Sequence, residues 1–177
     1  SEGMTGAAML CAEAAIRTGA GLVYLFAPGK ILPVYEIGCK EAVKIKVGEG
    51  DDPFFKEKHV RQVVGVIKKS QGSACVVVGP GIGTNIQTSK FVKGLLSELS
   101  EIDIPVILDA DGLNAYKNEQ YKDFVMPKNT IITPHVGELA RLMTVSTEYI
   151  NNNRSEAAIK ASCDMNAITV LKGNKSL

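Results

Sequence analysis

The chain has almost no net charge: 20 Lys and Arg residues face 19 Asp and Glu residues over 177 positions, for a formal charge of +1. Such a balance gives no broad electrostatic field that would attract DNA, RNA or an anionic membrane. We therefore expect neither nucleic acid nor a membrane surface as a partner. The pair Lys68-Lys69 is interpreted as the solvated end of a helix.

Long apolar runs and clustered metal ligands are also missing. No stretch is long and apolar enough to span a bilayer, and the first residues lack the charged-then-apolar pattern of a signal peptide. The four cysteines lie far apart, without a Cys-x-x-Cys pair or a histidine at metal-ligand spacing: Cys11, Cys39, Cys75 and Cys163. These absences argue against a disulfide framework or a zinc site and favour reduced thiols and a cytoplasmic location. Cys75 lies in an apolar run, so we expect it to be buried.

Helix and strand signals alternate along the chain. Thr5 is predicted to be the N-cap of a helix over residues 6–18 that Gly19 closes. Apolar spacing predicts a helix over 57–69, with His59 at the surface, and further helices around 92–99, 138–143 and 155–163. Strands are predicted at 22–26, 43–47 (as an edge strand), 74–78, 106–108, 130–132 and 168–171.

This alternation predicts an α/β fold with a mostly parallel sheet covered by helices on both faces. We expect residues 1–177 to form a single domain that is incomplete at both ends. The chain opens on a helix without a preceding strand and closes a few residues after a strand. It is therefore expected to be part of a longer protein, a truncated product, or a chain that another segment completes.

Four polar loops each follow one of the predicted strands: Gly79-Pro80-Gly81-Ile82-Gly83, Asp109-Ala110-Asp111-Gly112-Leu113-Asn114, Thr133-Pro134-His135-Val136-Gly137-Glu138 and Lys172-Gly173-Asn174. If these strands are parallel, the loops share the edge of the sheet at which open α/β sheets bind ligands. Glycine backbone, carboxylate, imidazole and ammonium groups would then converge on one crevice. Such a grouping suits a phosphorylated ligand.

Each loop keeps a plain structural alternative. The glycine loop either binds phosphate through bare N–H groups or is only a tight turn. Asp109 and Asp111 hold Mg²⁺ through water or accept hydroxyl hydrogen bonds; alternatively, Asp109 caps a turn that Asn114 helps to fix. His135 either contacts a ligand or is a satisfied structural histidine. Lys172 either contacts a phosphate or reaches solvent.

The start of the first predicted helix is another candidate site. Thr5-Gly6-Ala7-Ala8 are small residues that would let a large ligand approach closely. The free N–H groups of a helix start can bind polar or anionic groups. A plain helix cap is the alternative, and both roles are compatible.

Six motifs in one order resemble a known family: Met4-Thr5-Gly6-Ala7-Ala8, the segment 17–23, the glycine loop, the 109–114 and 133–138 loops, and Leu171-Lys172-Gly173. The chain resembles the ADP/ATP-dependent NAD(P)H-hydrate dehydratases, the carbohydrate-kinase-like proteins also known as YjeF C-terminal domains. The resemblance implies a ribokinase-like fold. It also implies dehydration of the S-form hydrate of NADH or NADPH, by phosphorylation of the hydrate hydroxyl and loss of phosphate. Homo-oligomers are expected by the same resemblance.

With this resemblance, we predict two groups of ligand contacts. The hydrate would be bound by Thr5, Gly6, Ala7, Gly81, Gly83, Asp109, Asn114 and His135. The ADP or ATP would be bound by Glu138, Lys172, Gly173, Asn174 and Ser176. Glu138 and Asp109 would also face Mg²⁺ through water.

The sequence departs from the family pattern in three places. Val136 stands where proline is more frequent, and Ser176 stands where threonine is usual but keeps the hydroxyl. The Gly-Thr-Gly-Asp motif, whose aspartate would act as the base in this family, does not occur in these residues, so the catalytic residue is unknown. Two alternatives remain: a small-molecule kinase that leaves a stable phosphate ester, or a non-catalytic nucleotide-binding chain.

Overall fold

A computed structural model describes residues 1–70, 74–116 and 126–177 of the chain. Its larger sheet has four parallel strands in sequence order: β3 (Val76–Val78), β4 (Val106–Leu108), β5 (Thr130–Ile132) and β6 (Ile168–Thr169). Val78 pairs with Leu108 and Leu108 with Ile132, so these strands end level with one another. The prediction that the four polar loops share one sheet edge is confirmed.

A second sheet contains only β1 (Tyr24–Pro28) and β2 (Val43–Val47), which are parallel. The predicted strand at 22–26 therefore lies two residues further along the chain, and Leu22 is exposed. Pro28 is the last residue of β1, which is an edge strand of a two-stranded sheet, where a missing N–H can be tolerated.

Eight helices occur in the described residues, and they flank the strands. Two of the helices directly follow a short 3₁₀ turn. One turn, Gly29–Ile31, lies between β1 and β2, and the other, Glu57–His59, lies between β2 and β3. The helices are α1 (Thr5–Arg17), α2 (Leu32–Gly38), α3 (Val60–Ile67), α4 (Ile86–Ser100), α5 (Asp111–Asn114), α6 (Val136–Met143), α7 (Thr147–Asn152) and α8 (Arg154–Met165). The sequence pattern had indicated neither α2, α5 nor α7.

The main core lies between the four-stranded sheet and helices α3 and α4. The predicted stripe of α3 is buried, and so are four residues at helical spacing on α4: Val92, Leu95, Leu96 and Leu99. Burying one leucine side chain contributes roughly 1.5–3 kcal/mol. The α/β class is thus confirmed, and this packing holds the sheet edge that carries the polar loops.

Two local predictions were wrong: the N-cap of α1 and the burial of Cys75. Thr5 is the first residue of α1 rather than its cap, and Met4, at the cap position, makes no side-chain cap bond. Cys75 is exposed, not buried, because it precedes β3, the outermost strand of its sheet. None of the helices in the described ranges is both long and apolar enough to cross a membrane.

His59 was predicted at the surface, yet its side chain is only 3% exposed. It lies in the 3₁₀ turn before α3, with its Nε2 atom 3.0 Å from Asp52 Oδ2. Its Nδ1 atom accepts a hydrogen bond from the Lys56 N–H at 3.1 Å. The imidazole therefore ties the 52–56 segment to the start of α3.

Candidate functional site

The glycine loop after β3 is packed against two other segments. Gly79 has φ +125°, and a Cβ atom there would lie 1.7 Å from the Asp109 carbonyl oxygen. Gly81 has φ +68°, and a Cβ atom there would lie 2.3 Å from the Met4 carbonyl oxygen and 3.3 Å from Ala7 Cβ. Only glycine fits these approaches. The start of α1 and the loop after β4 therefore meet at the glycine loop, as the sequence suggested.

The loop after β4 extends this contact through Asp111. Its Oδ2 atom accepts a hydrogen bond from the Gly83 N–H at 3.1 Å, and its Oδ1 atom accepts one from Asn114 Nδ2 at 3.2 Å. Arg141 of α6 in turn donates to Asn114 Oδ1 at 3.3 Å. Asp111 was a candidate carboxylate in its motif but was not among the predicted hydrate or nucleotide contacts, and Arg141 was not predicted at all. Asp111 carried a signal in its motif, whereas Arg141 carried none.

His135 and Glu138 form a reciprocal cap at the start of α6. His135 Nδ1 accepts hydrogen bonds from the N–H groups of Gly137 and Glu138, at 2.9 and 3.3 Å. Glu138 Oε2 accepts one from the His135 N–H at 2.8 Å. Because Nδ1 is an acceptor, the proton of a neutral ring is on Nε2, which lies 3.4 Å from Glu138 Oε1. The side chain of His135 remains 54% exposed and available to a ligand.

Lys172 joins the last loop to the other two. Its Nζ atom donates to Asp109 Oδ1 at 2.6 Å and lies 3.9 Å from Glu138 Oε2. Its N–H donates to the Pro134 carbonyl oxygen at 2.8 Å, which fixes the loop beside β5. The ammonium therefore lies between two carboxylates that the sequence assigned to the same region.

The carboxylates of Asp109 and Glu138 fit direct coordination of Mg²⁺ poorly. Asp109 accepts a hydrogen bond from the Lys172 ammonium, and Glu138 accepts one from the His135 backbone. Among the described residues, no group of three or more His, Cys, Asp or Glu side chains could hold a metal ion. Contact with a hydrated ion, as predicted, stays a prediction.

Two further features adjoin the site. A cavity of about 210 Å³ lies beside Gly83, and its wall includes Phe54, Ile82 and Asn85.

On α1, burial raises the pKa of the Cys11 thiol, and the charge of Asp109 raises it further. Cys11 is therefore kept in the protonated thiol form at neutral pH, which makes it a poor nucleophile.

Four of the five predicted nucleotide residues lie in one segment, 172–176, that follows β6, and the fifth, Glu138, lies on α6 with its Oε2 atom 3.9 Å from the Lys172 ammonium. Gly173 packs against the guanidinium of Arg154, and the Ser176 hydroxyl lies 3.5 Å from the Gly173 carbonyl oxygen. Asn174 is exposed. Of the predicted hydrate contacts, Thr5, Gly6 and Ala7 lie on the first turn of α1, whose Ala7 faces Gly81. Contacts of Lys172 with Asp109, of Asp109 with Gly79 and of Gly81 with Ala7 link the segment after β6 to the start of α1.

Comparison with known proteins gives a consistent assignment. The Bifunctional NAD(P)H-hydrate repair enzyme Nnr of Dictyoglomus turgidum is 34% identical over 152 residues, 86% of this chain and 28% of that protein. The Coxiella burnetii enzyme of the same name is 34% identical and matches 97% of this chain and 31% of that protein. An ADP-dependent (S)-NAD(P)H-hydrate dehydratase of Neisseria meningitidis is 31% identical and matches 100% of this chain and 54% of that protein. The chain thus spans about a third to a half of these relatives.

Solved structures agree in fold. An ADP/ATP-dependent NAD(P)H-hydrate dehydratase from Bacillus subtilis, co-crystallized with ATP/Mg²⁺, superposes with a TM-score of 0.72 at 24% identity, over 99% of this chain and 56% of that one. A ribokinase-like superfamily protein from Enterococcus faecalis gives 0.72 at 20% identity, over 99% of this chain and 55% of that one. The ribokinase-like fold is therefore confirmed. The family model for NAD(P)H-hydrate dehydratase, of the carbohydrate-kinase type, matches residues 1–177, and the chain belongs to that family.

Proposed function

We propose that this chain binds the S-form hydrate of NADH or NADPH together with ADP or ATP, for the nucleotide-dependent dehydration that restores the nicotinamide coenzyme. The observation that carries the proposal is the contact of Lys172 with Asp109 at 2.6 Å. That contact brings the segment assigned to the nucleotide against the loop assigned to the hydrate. A phosphoryl group could therefore pass between two ligands bound on either side of it.

In the proposed reaction, the terminal phosphoryl group of the nucleotide moves to the hydroxyl oxygen of the hydrate, the hydroxyl proton passes to solvent, and the nucleotide leaves one phosphate shorter. The C–O bond then breaks, inorganic phosphate leaves with that oxygen, and loss of a proton from the ring restores the double bond. The residues of this chain have binding and orienting roles. Lys172 places a positive charge where phosphate charge accumulates.

His135 is assigned to the hydrate. Its Nδ1 atom is engaged by the start of α6, which leaves Nε2–H as a donor of fixed direction. Gly83 and Asn114 are joined through Asp111, so their positions are set together. Ala7, Thr5, Gly6 and Gly81 supply the close backbone surface on which a dinucleotide could lie.

Mg²⁺ is assigned to the nucleotide rather than to protein ligands. The carboxylates of Asp109 and Glu138 would meet a hydrated ion at most, because both already accept hydrogen bonds from protein groups. When bound, the ion would neutralise phosphate charge. A cytoplasmic location, a homo-oligomer and a single domain over residues 1–177 remain predictions.

Binding and turnover test the proposal separately. Titration of the chain with ADP, ATP and S-NADH hydrate should give saturable binding of one nucleotide and one hydrate. Failure to bind either ligand would refute the proposal. Recovery of NADH absorbance together with release of inorganic phosphate would mean that a base is present without a Gly-Thr-Gly-Asp motif. A stable phosphate ester would instead indicate the kinase alternative.

The second candidate function is binding of both ligands without catalysis, and one observation favours it. The 177 residues contain no Gly-Thr-Gly-Asp sequence, and none of the residues at the sheet edge is assigned as a base. In that case the chain would hold both ligands, and nucleotide would remain unhydrolysed. Measuring phosphate release in the presence and absence of the hydrate distinguishes the two candidates.

A further inference from the structure

Arg154, the first residue of α8, holds the segment that follows β6. Its Nη2 atom donates to the carbonyl oxygen of Lys175 at 3.0 Å. Longer contacts, of 3.4 and 3.5 Å, join the same atom to the carbonyl oxygens of Leu171 and Lys172. One guanidinium therefore gathers three carbonyl groups of a segment 17 to 21 residues further along the chain.

The contact extends to Gly173, which packs against the guanidinium. A Cβ atom at this position would lie 2.8 Å from Arg154 Nη2 and 3.2 Å from Cζ. A side chain on residue 173 would push the guanidinium away from the carbonyl groups that it holds. Glycine at 173 and arginine at 154 are thus two halves of one packing arrangement.

In the segment 171–177, several carbonyl groups accept hydrogen bonds from the protein, whereas most N–H groups have no acceptor within the described residues. Lys172 N–H donates to Pro134, and Leu177 N–H donates to the Leu171 carbonyl oxygen. Within the part of the chain that the structure describes, no acceptor is recorded for the N–H groups of residues 173–176. Backbone N–H groups without an acceptor inside the protein can donate hydrogen bonds to the oxygens of a phosphate group.

Arg154 itself is held in place by α8. The buried face of this helix contains Ala157, Ala158 and Ala161, which pack with Leu171 in one apolar cluster. The guanidinium is planar and presents several N–H donors in fixed directions, so it can bind several carbonyl groups at once. Its position relative to the segment is therefore set by packing on both sides.

We propose that Arg154 is a positioning residue for nucleotide binding, which acts by holding the backbone of residues 171–175 with its free N–H groups and the Lys172 ammonium turned toward the ligand. This inference rests on the proposed nucleotide-binding function of that segment. Arg154 does not itself touch the nucleotide; it shapes the surface that does.

The test compares Arg154→Ala with Arg61→Met, a control at an exposed position of α3. Affinity for a fluorescent ADP analogue and for S-NADH hydrate is measured for each protein, and thermal unfolding is followed by circular dichroism. We expect Arg154→Ala to weaken ADP binding about tenfold or more, because charged hydrogen bonds that order the site are lost. Hydrate affinity should change less than about twofold, because its predicted contacts lie on other loops.

Rescue distinguishes positioning from a general structural role. Guanidinium chloride, added well below the onset of unfolding, should restore part of the ADP affinity of Arg154→Ala. Methylammonium chloride at the same concentration should not, because it lacks the planar set of donors. Equal recovery with both salts, or none with either, would contradict the inference.

A second variant covers the case in which Arg154→Ala does not fold. Gly173→Ala should displace the guanidinium and also weaken ADP binding, and the double variant should be no weaker than the worse single variant. If the unchanged chain binds ADP and the folded variants bind it equally well, the inference fails and the proposed function stands. If the unchanged chain binds no ADP, the proposed function fails and this inference with it.

Discussion

Lys172 and Asp109 are 63 positions apart in sequence, yet the ammonium of one donates to the carboxylate of the other at 2.6 Å. Asp109 follows β4 and Lys172 follows β6, with β5 between these strands in the sheet. The loop after β5 is included as well, because the same ammonium lies 3.9 Å from Glu138. Three successive loops therefore share one charged centre.

Lys172→Met should weaken ADP binding by about tenfold or more, because the positive charge that faces the phosphates is removed. Stability should change little, since the lysine and aspartate side chains are 40% and 27% exposed and such pairs contribute little. Isothermal titration with ADP measures the first effect, and urea unfolding measures the second. Lys160→Met, which removes an exposed ion pair on α8, is the control; equal ADP affinity in both variants would refute the role of Lys172.

Gly79→Ala should destabilise the chain by more than about 2 kcal/mol. The residue has φ +125°, and the added Cβ atom would lie 1.7 Å from the Asp109 carbonyl oxygen. Gly65→Ala is the matched control: it lies within α3, and a Cβ atom there meets nothing within 4 Å. Alanine at 65 should raise stability by roughly 0.5–1 kcal/mol. Urea unfolding of both variants gives the comparison, and similar values for the two would contradict this account of the glycine loop.

The sequence pattern predicted the sheet edge well because that information is local. Each polar loop follows an apolar run, and a parallel sheet places all such loops together. Contacts between distant backbone and side chains leave no such pattern. Arg154 binds carbonyl groups, whose direction depends on the path of the chain and not on any side-chain periodicity.

Burial at the margins of elements was harder to predict for a related reason. His59 directly precedes the apolar stripe of α3, and its partner Asp52 lies in a stretch without clear periodicity. Cys75 was judged by its apolar neighbours, but its exposure depends on which strand lies at the edge of the sheet. Strand order is a property of the whole fold, so neither position could be read from a short window.

His135 has two roles that substitutions can separate. We expect His135→Ala to weaken hydrate binding without preventing folding, although loss of the cap on α6 should cost about 1 kcal/mol. His135→Asn should keep much of the cap, because asparagine is a good N-cap residue, and yet lose the imidazole Nε2–H donor. Hydrate affinity and urea unfolding are measured for both variants. Asparagine with native stability and native hydrate affinity would rule out a ligand role for the imidazole.

The stability of the chain should also fall in mild acid because of His59. Burial lowers the pKa of this imidazole below its ordinary value, and the Asp52 carboxylate only partly opposes the effect. Asp52 stays ionised in this range, because a hydrogen bond from Lys56 lowers the pKa of its carboxyl group. Of the pair His59 and Asp52, the imidazole is therefore the group whose charge changes in mild acid.

The sign of the effect follows from which state binds the proton first. The unfolded chain protonates His59 near the ordinary pKa of about 6.5, whereas the folded chain does so only at lower pH. Its contribution to stability is therefore complete above that pH and is lost as the pH falls through it toward the folded pKa. One proton limits the slope to about 1.4 kcal/mol per pH unit.

Urea unfolding of the unchanged chain and of His59→Gln, at about pH 7.5 and about pH 5.5, checks this expectation. The variant should be less stable at the higher pH, because the hydrogen bonds of His59 to the 52–56 segment are altered. Its free energy of unfolding should fall less between the two pH values than that of the unchanged chain, since position 59 no longer titrates. All other residues are common to the two proteins, so the difference between the two slopes reports on the substitution at position 59. Parallel slopes would show that the buried imidazole does not cause the loss of stability in acid.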